Sequence, residues 1–143
     1  MIRKEVEEKE HSLEMHLPFI QKAFKDAGNA ESLKLIPLMC GDIPEDKYRG
    51  YAEILLPLFM DDKTIFVIST DFCHWGQNFQ FMHQFPDEPV IHKSIERLDR
   101  QGMDLIESQC FADFTTYLNE TNNTICGRHP IQLLVSIIEL AKA

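Results

Sequence analysis

Three short clusters of polar side chains carry the chemistry this sequence could perform. The densest is Ser69-Thr70-Asp71-Phe72-Cys73-His74-Trp75-Gly76. His74 can act as acid, base or ligand near neutral pH. Asp71 can accept a hydrogen bond and so orient an imidazole. The competing reading is structural: Asp71 caps a turn and His74 decorates it. Cys73 and His74 are adjacent, so their side chains point in different directions and only one of them is expected in a site.

The second cluster is Thr124-Ile125-Cys126-Gly127-Arg128-His129-Pro130, just ahead of a helix. Free backbone N–H groups and the positive end of the helix dipole gather at such a start. A cysteine there tends towards thiolate, the form that ligates metal or attacks electrophiles, and Arg128 adds positive charge. An inert buried Cys126 with a capping His129 weighs equally. A nucleophilic Cys126–His129 pair is a further possibility, although its placement at a helix start makes the required hydrogen bond awkward. The third cluster runs from Glu10 to Pro18 and contains His11, Glu14 and His16. The two histidines fall on different helical faces and do not match H-E-x-x-H. These side chains either reach a shared pocket from a loop or simply order that loop. His83 and His92 have no supporting pattern and read as surface residues. Phe72, Trp75, Phe79, Phe81 and Phe85 read as packing, in too acidic a context for stacking on bases.

The elements that must position these clusters follow from periodicity. Leu13, Leu17, Ile20 and Phe24 repeat at helical spacing, with Pro18 suited to a first turn and Gly28 to a stop. Residues 33–40 look like a strand that Pro37 confines to an edge or bulge. Pro44 opens a helix through Tyr48, Tyr51, Leu55 and Phe59. Thr64–Thr70 is apolar on both faces and β-branched, the pattern of a strand covered on both sides. Further helices follow on Ile91, Ile95 and Leu98, ending near Gly102, then on Phe111, Phe114 and Leu118. The last starts at Pro130 and carries Ile131, Leu134, Val135 and Ile138. Leu133 and Ile137 widen its stripe, so it should be buried on more than one side. Strands alternating with helices predict an α/β layered fold with a central sheet flanked by helices. With only two strands that sheet is incomplete, so exposed apolar surface and self-association into a homo-oligomer are expected.

Bulk properties narrow the partners. The chain has 143 residues, 14 basic and 23 acidic, for a formal charge of −9. That sign disfavours nucleic acid and anionic membrane surfaces. No apolar run approaches the roughly 20 residues that span a bilayer, and the first residues lack the apolar centre of a signal peptide. Cys40, Cys73, Cys110 and Cys126 show no C-x-x-C spacing and read as reduced thiols of a cytoplasmic protein. The sequons at Asn119 and Asn122 then read as chance matches. Residues 1–10 form a charged segment and 11–143 the folded part.

Taken together, EHSLEMHLPF, STDFCHWGQNF and TICGRHPI, with SIERLDRQGM between the last two, resemble the MEMO family (mediator of ErbB-driven cell motility). The resemblance runs from Glu10 to Leu140. It implies a fold like that of the class III extradiol-type non-haem iron dioxygenases, and a signalling or adaptor role, in the cytoplasm or also the nucleus, in receptor-tyrosine-kinase-driven motility. It further implies binding of a phosphotyrosine peptide, or redox behaviour with iron or copper and less readily zinc. The resemblance puts Cys126 in the metal pocket and makes His74 the pocket acid or base and ligand-binding residue, with Asp71 beside it. A thiolate where related enzymes hold a carboxylate softens such a site. The family's two other metal ligands, histidines from a Pro-His-Ala-Gly-type motif and from a strand ending in a His pair, have no counterpart here. The chain therefore resembles the middle-to-late part of the fold, with an incomplete metal site. A metal-dependent oxygenase or redox enzyme of the extradiol type is the alternative function.

Overall fold

The apolar stripes become helices close to where their spacing puts them, and the shifted ends have identifiable causes. The structure is a computed structural model describing Lys4 and residues 8–143. Most of the charged segment 1–10 lies outside the described residues. The chain divides into two compact units, Met1–Cys40 and Gly41–Ala143.

In the first unit a 3-10 turn, Glu14–His16, leads into helix α1, Leu17–Asp26. Pro18 occupies its first turn, where a missing N–H costs no hydrogen bond. Gly28 follows the end with φ of 75°, a conformation that suits a residue lacking Cβ. The Glu10 carboxylate accepts from the backbone N–H of Leu13 and Glu14, and His16 Nδ1 lies 2.9 Å from the Ser12 carbonyl. This polar cluster thus orders its own turn.

In the second unit Pro44 precedes a 3-10 turn, Glu45–Lys47, that runs into α2, Tyr48–Phe59. Three more helices follow: α3, Ile91–Ser108; α4, Phe111–Thr121; and α5, Arg128–Lys142. α5 is the hub, packing against both α2 and α4, while α4 also packs on α3. As its wide stripe requires, α5 buries Ile131, Leu133, Val135 and Ile137, together with Gln132 and Ser136. The core joins Phe81, Leu98, Phe114, Tyr117, Ile125, Ile131 and Val135.

Two helix ends depart from the sequence expectation. α3 does not stop near Gly102 but continues to Ser108. A Cβ on Gly102 would lie 3.1 Å from the Tyr117 ring, so this glycine serves close packing rather than termination. Tyr117 lies against it and donates its hydroxyl to the Leu98 carbonyl at 2.8 Å. α5 begins at Arg128, with Pro130 in its first turn rather than at its first position.

The expected central sheet is absent. Among the described residues no strand is formed, and the sole β-bridge is an isolated antiparallel pair, Gly76 with Phe81. Residues 33–40 and 64–70 both lack secondary structure. A strand exists only through ladder bonds to a neighbour, and neither segment has one. Nor is Thr64–Thr70 covered on both sides: Ile65 is 72% and Val67 52% exposed. The α/β layered description is therefore replaced by a helical one for the described residues. None of these helices is long and apolar enough to cross a membrane.

A polar chain pins α2 to α5. The Tyr48 hydroxyl lies 2.5 Å from His129 Nδ1 and donates to Gln132 Oε1 at 2.9 Å, and Gln132 Nε2 donates to Thr115 Oγ1 on α4. Burial foremost, and then the Arg128 charge, push the His129 pKa below the ordinary imidazole range, against the pull of Asp42. Neutral His129 is thus the form the fold favours. Its contribution is complete above the unfolded-state value, about 6.5, and is lost as pH falls through the lowered folded value. The melting temperature is expected to drop between pH 7 and pH 5, measured by circular dichroism, and His129→Asn should flatten that part of the profile.

Candidate ligand-binding site

The loop after residue 70 and the loop before α5 are joined by backbone at close range. Gly127 makes this possible. A Cβ there would lie 2.4 Å from Thr70 Cβ and 2.7 Å from the Ser69 carbonyl oxygen, separations real atoms do not tolerate. With no side chain in the way, Gly127 N–H donates to Thr70 Oγ1 at 3.0 Å. Cys126 N–H donates to the Asp71 carbonyl at 3.3 Å.

These bonds bring Cys126 and Asp71 together. The Asp71 backbone N–H donates to Cys126 Sγ at 3.1 Å, and the thiol lies 3.7 Å from the Asp71 carbonyl. Cys126 remains exposed.

His74 is held by Thr124 on three counts. Its backbone N–H donates to Thr124 Oγ1 at 2.6 Å, Thr124 Oγ1 donates to its carbonyl at 2.9 Å, and its Nδ1 lies 2.9 Å from the Thr124 carbonyl. Only a protonated Nδ1 can bond a carbonyl, so the outer nitrogen, Nε2, is the one left for chemistry. Nε2 lies 3.9 Å from the Asp71 carboxylate. The Phe79 ring packs against the imidazole at 5.1 Å. Asp71 itself is exposed, free to meet a ligand as well as His74. The structure therefore draws Asp71, His74 and Cys126 into one patch, linked through Asp71 on one side and Thr124 on the other.

Cys73 lies on the core side of it, with its thiol within reach of the Thr124 side chain. It packs against the core, and burial, aided by the Asp99 charge, pushes its thiol pKa up. Its backbone N–H donates to the Asp99 carboxylate at 3.2 Å. Asn123 Nδ2 donates to the same carboxylate at 2.9 Å and to the Tyr117 hydroxyl at 2.8 Å. Asp99 on α3 thus ties the Cys73–His74 loop to the turn that carries Thr124. Neither Asp99 nor Thr124 was assigned a role from sequence. The only available signal was an acidic residue on an apolar face of α3, and a threonine beside the second cluster.

The remaining candidates sort themselves by geometry. His129 faces Tyr48, and its Nε2 lies 3.2 Å from Asp42, so it is engaged away from Cys126 and the proposed nucleophilic pair does not form. His83 is not a surface residue as expected. Its ring is half-buried between Phe81 and Phe85, because Trp75 Nε1 donates to its carbonyl and draws that strip inward. His92 is exposed. Phe72, Trp75 and Phe85 pack on the core around buried Phe81, whereas Phe79 is exposed.

The donor set does not suit the metal that the resemblance implies. Among the described residues no three His, Cys, Asp or Glu side chains gather to hold an ion. Specific sites supply three or more protein ligands in fixed geometry, a number these residues do not bring together. No step through iron, copper or zinc follows from these residues.

Comparison with known proteins fits the motif reading. A family model described as Memo-like protein matches residues 2–143. Protein MEMO1 of Homo sapiens is 40% identical over 139 residues, covering 96% of this chain and 46% of the human protein. Protein MEMO1 of Rattus norvegicus is 39% identical over 140 residues, 97% of this chain and 46% of the rat protein. The protein memo-1 homolog of Caenorhabditis elegans is 39% identical over 134 residues, 93% of this chain and 37% of the worm protein. The chain spans less than half the length of these relatives. With the matching segments running through both loops of the site, this chain belongs to the Memo-like protein family.

Proposed function

We propose that this chain is a cytoplasmic signalling adaptor of the Memo-like kind, and that the Asp71, His74 and Cys126 patch binds a phosphotyrosine peptide from a receptor tail. The observation that supports it is the junction of two motif loops distant in sequence, with the Asp71 N–H on Cys126 Sγ at 3.1 Å and His74 fixed by Thr124. An imidazole presenting Nε2 suits a phosphate oxygen, while the backbone N–H groups of Asp71, Cys126 and Gly127 are spent on holding the two loops together. Arg128, at the first position of α5, is partly exposed and lies 3.9 Å from Asp42; it is the cation nearest in sequence to Cys126.

Recognition fits this patch better than redox or oxygenase chemistry, which needs more metal donors than it supplies. The test is fluorescence anisotropy with a labelled tyrosine peptide, phosphorylated and unphosphorylated. The phosphorylated form should bind more tightly, and His74→Ala or Cys126→Ala should each weaken it about tenfold, on the order of 1.4 kcal/mol. Equal binding of both peptides, or variants that bind like the parent, would overturn the proposal.

The junction itself is testable through Gly127. Gly127→Ala puts a methyl group into Thr70 and the Ser69 carbonyl and should destabilise the chain by about 1–3 kcal/mol, the usual cost of overpacking. Because it separates the two loops, it should also weaken the phosphopeptide as much as the His74 variant does. Urea denaturation and the same anisotropy titration would check both effects.

A further inference from the structure

One hydroxyl proton faces two acceptors where α2 meets α5. The Tyr48 oxygen lies 2.5 Å from His129 Nδ1 and 2.9 Å from Gln132 Oε1. A phenol carries a single proton, so it donates to one of them and the other contact must run the opposite way. The Ile43 backbone N–H decides the direction when the imidazole is neutral. It points at Nδ1 from 3.5 Å and can only donate, so Nδ1 is then a lone pair that also takes the Tyr48 proton. The ring proton is left on Nε2, which lies 3.2 Å from the Asp42 carboxylate but off the line of a good hydrogen bond. Gln132 then turns its NH₂ towards Tyr48 and its carbonyl towards the Thr115 hydroxyl. Its amide has the same outline in either orientation, and the contact with Thr115 stays at 2.9 Å.

We propose that His129 is a proton-operated latch on the chain entering α2. With Nδ1 bare, it gathers Ile43 N–H and Tyr48 O–H onto one atom. A proton taken from solvent by Nδ1 turns the chain of bonds around. Nδ1–H then donates to Tyr48, Tyr48 to Gln132 and Gln132 to Thr115, while Ile43 N–H loses its acceptor. Tyr48 keeps both contacts in either state, so α2, α4 and α5 stay packed while residues 42–44 loosen. The charged and titratable groups facing the imidazole are Asp42 from the loop before α2, Tyr48 from α2 and Arg128 from α5. From α4, Phe111 meets the Tyr48 ring edge-on at 5.2 Å. Burial first, then Arg128, oppose the imidazolium, and Asp42 favours it. The latch is therefore closed at neutral pH and opens as pH falls through the lowered folded value. None of this rests on the phosphopeptide reading, since His129 is engaged away from Cys126.

An NMR titration of the full chain, from pH 7 downward, tests the latch. At pH 7 the imidazole nitrogen shifts should report His129 as the Nε2–H tautomer. On acidification the Ile43 amide should titrate together with the His129 ring. Its exchange, corrected for the intrinsic effect of pH, should quicken at least about tenfold, as for a local opening, while circular dichroism keeps its helical signal. Asp42→Asn should move the midpoint down and Arg128→Gln should move it up. Neither side chain is buried, so both variants should fold. Tyr48→Phe leaves no hydroxyl to reverse, so the Gln132 amide signals should cease to follow the ring. An Nδ1–H tautomer at pH 7 sinks the proposal, as does an Ile43 amide indifferent to the His129 titration. So does loss of helix at the same midpoint, both charge variants moving it the same way, or a Gln132 amide that still titrates without the Tyr48 hydroxyl.

Discussion

The contact between Gly127 and the Ser69–Thr70 backbone is the constraint on which the rest of the second unit depends. It allows main chain to approach main chain more closely than any side chain would permit. From it follow the hydrogen bonds of Gly127 to Thr70 and of Cys126 to Asp71. These fix the start of α5, and α5 in turn organises α2 and α4 around the core. A glycine is needed here for space rather than for torsional freedom, because its φ of −86° is open to any residue. Packing and site are therefore not separable in this chain. The same approach that seats α5 also delivers the Asp71 N–H to the Cys126 sulfur.

Burial then decides which groups of the two loops are left for chemistry. Cys73 and His74 are neighbours, yet Asp99 takes the Cys73 main chain and the core takes its thiol, while Thr124 takes one side of His74 and leaves the other outward. Asp99 itself is satisfied by Cys73 N–H and Asn123 Nδ2, which makes its charge tolerable next to the core. On the other side of α5, His129 is drawn into the Tyr48–Gln132–Thr115 chain. The two titratable groups of the second cluster thus have opposite fates, one exposed at the loop junction and one built into helix packing.

Much of this was readable in the sequence, and the rest was not for physical reasons. The stripes of α1, α4 and α5 locate those helices because burial of one face dominates their formation. The ends of α3 and α5 were misplaced because a glycine and a proline were read as local punctuation. Gly102 answers instead to the Tyr117 ring, a contact between different helices that no local window contains. The sheet failed for a related reason. Thr64–Thr70 has the composition of a covered strand, but a strand is a relation between two segments and composition describes only one. For the site, the residue types in the two loops marked Asp71, His74 and Cys126, whereas the roles of Thr124 and Asp99 rest on hydrogen bonds across the fold.

The arrangement also bears on what a Memo-like pocket can do with these residues. A metal centre demands several donors converging on one point, and loses function sharply when any is missing. A recognition patch is more forgiving, because each contact adds to affinity and the main chain can supply some of them. Here the main chain acts by fixing side chains: the Asp71 N–H is committed to the Cys126 sulfur, and the Thr124 carbonyl presets one nitrogen of His74. Positions are fixed by backbone before any ligand arrives, which lowers the ordering cost of binding.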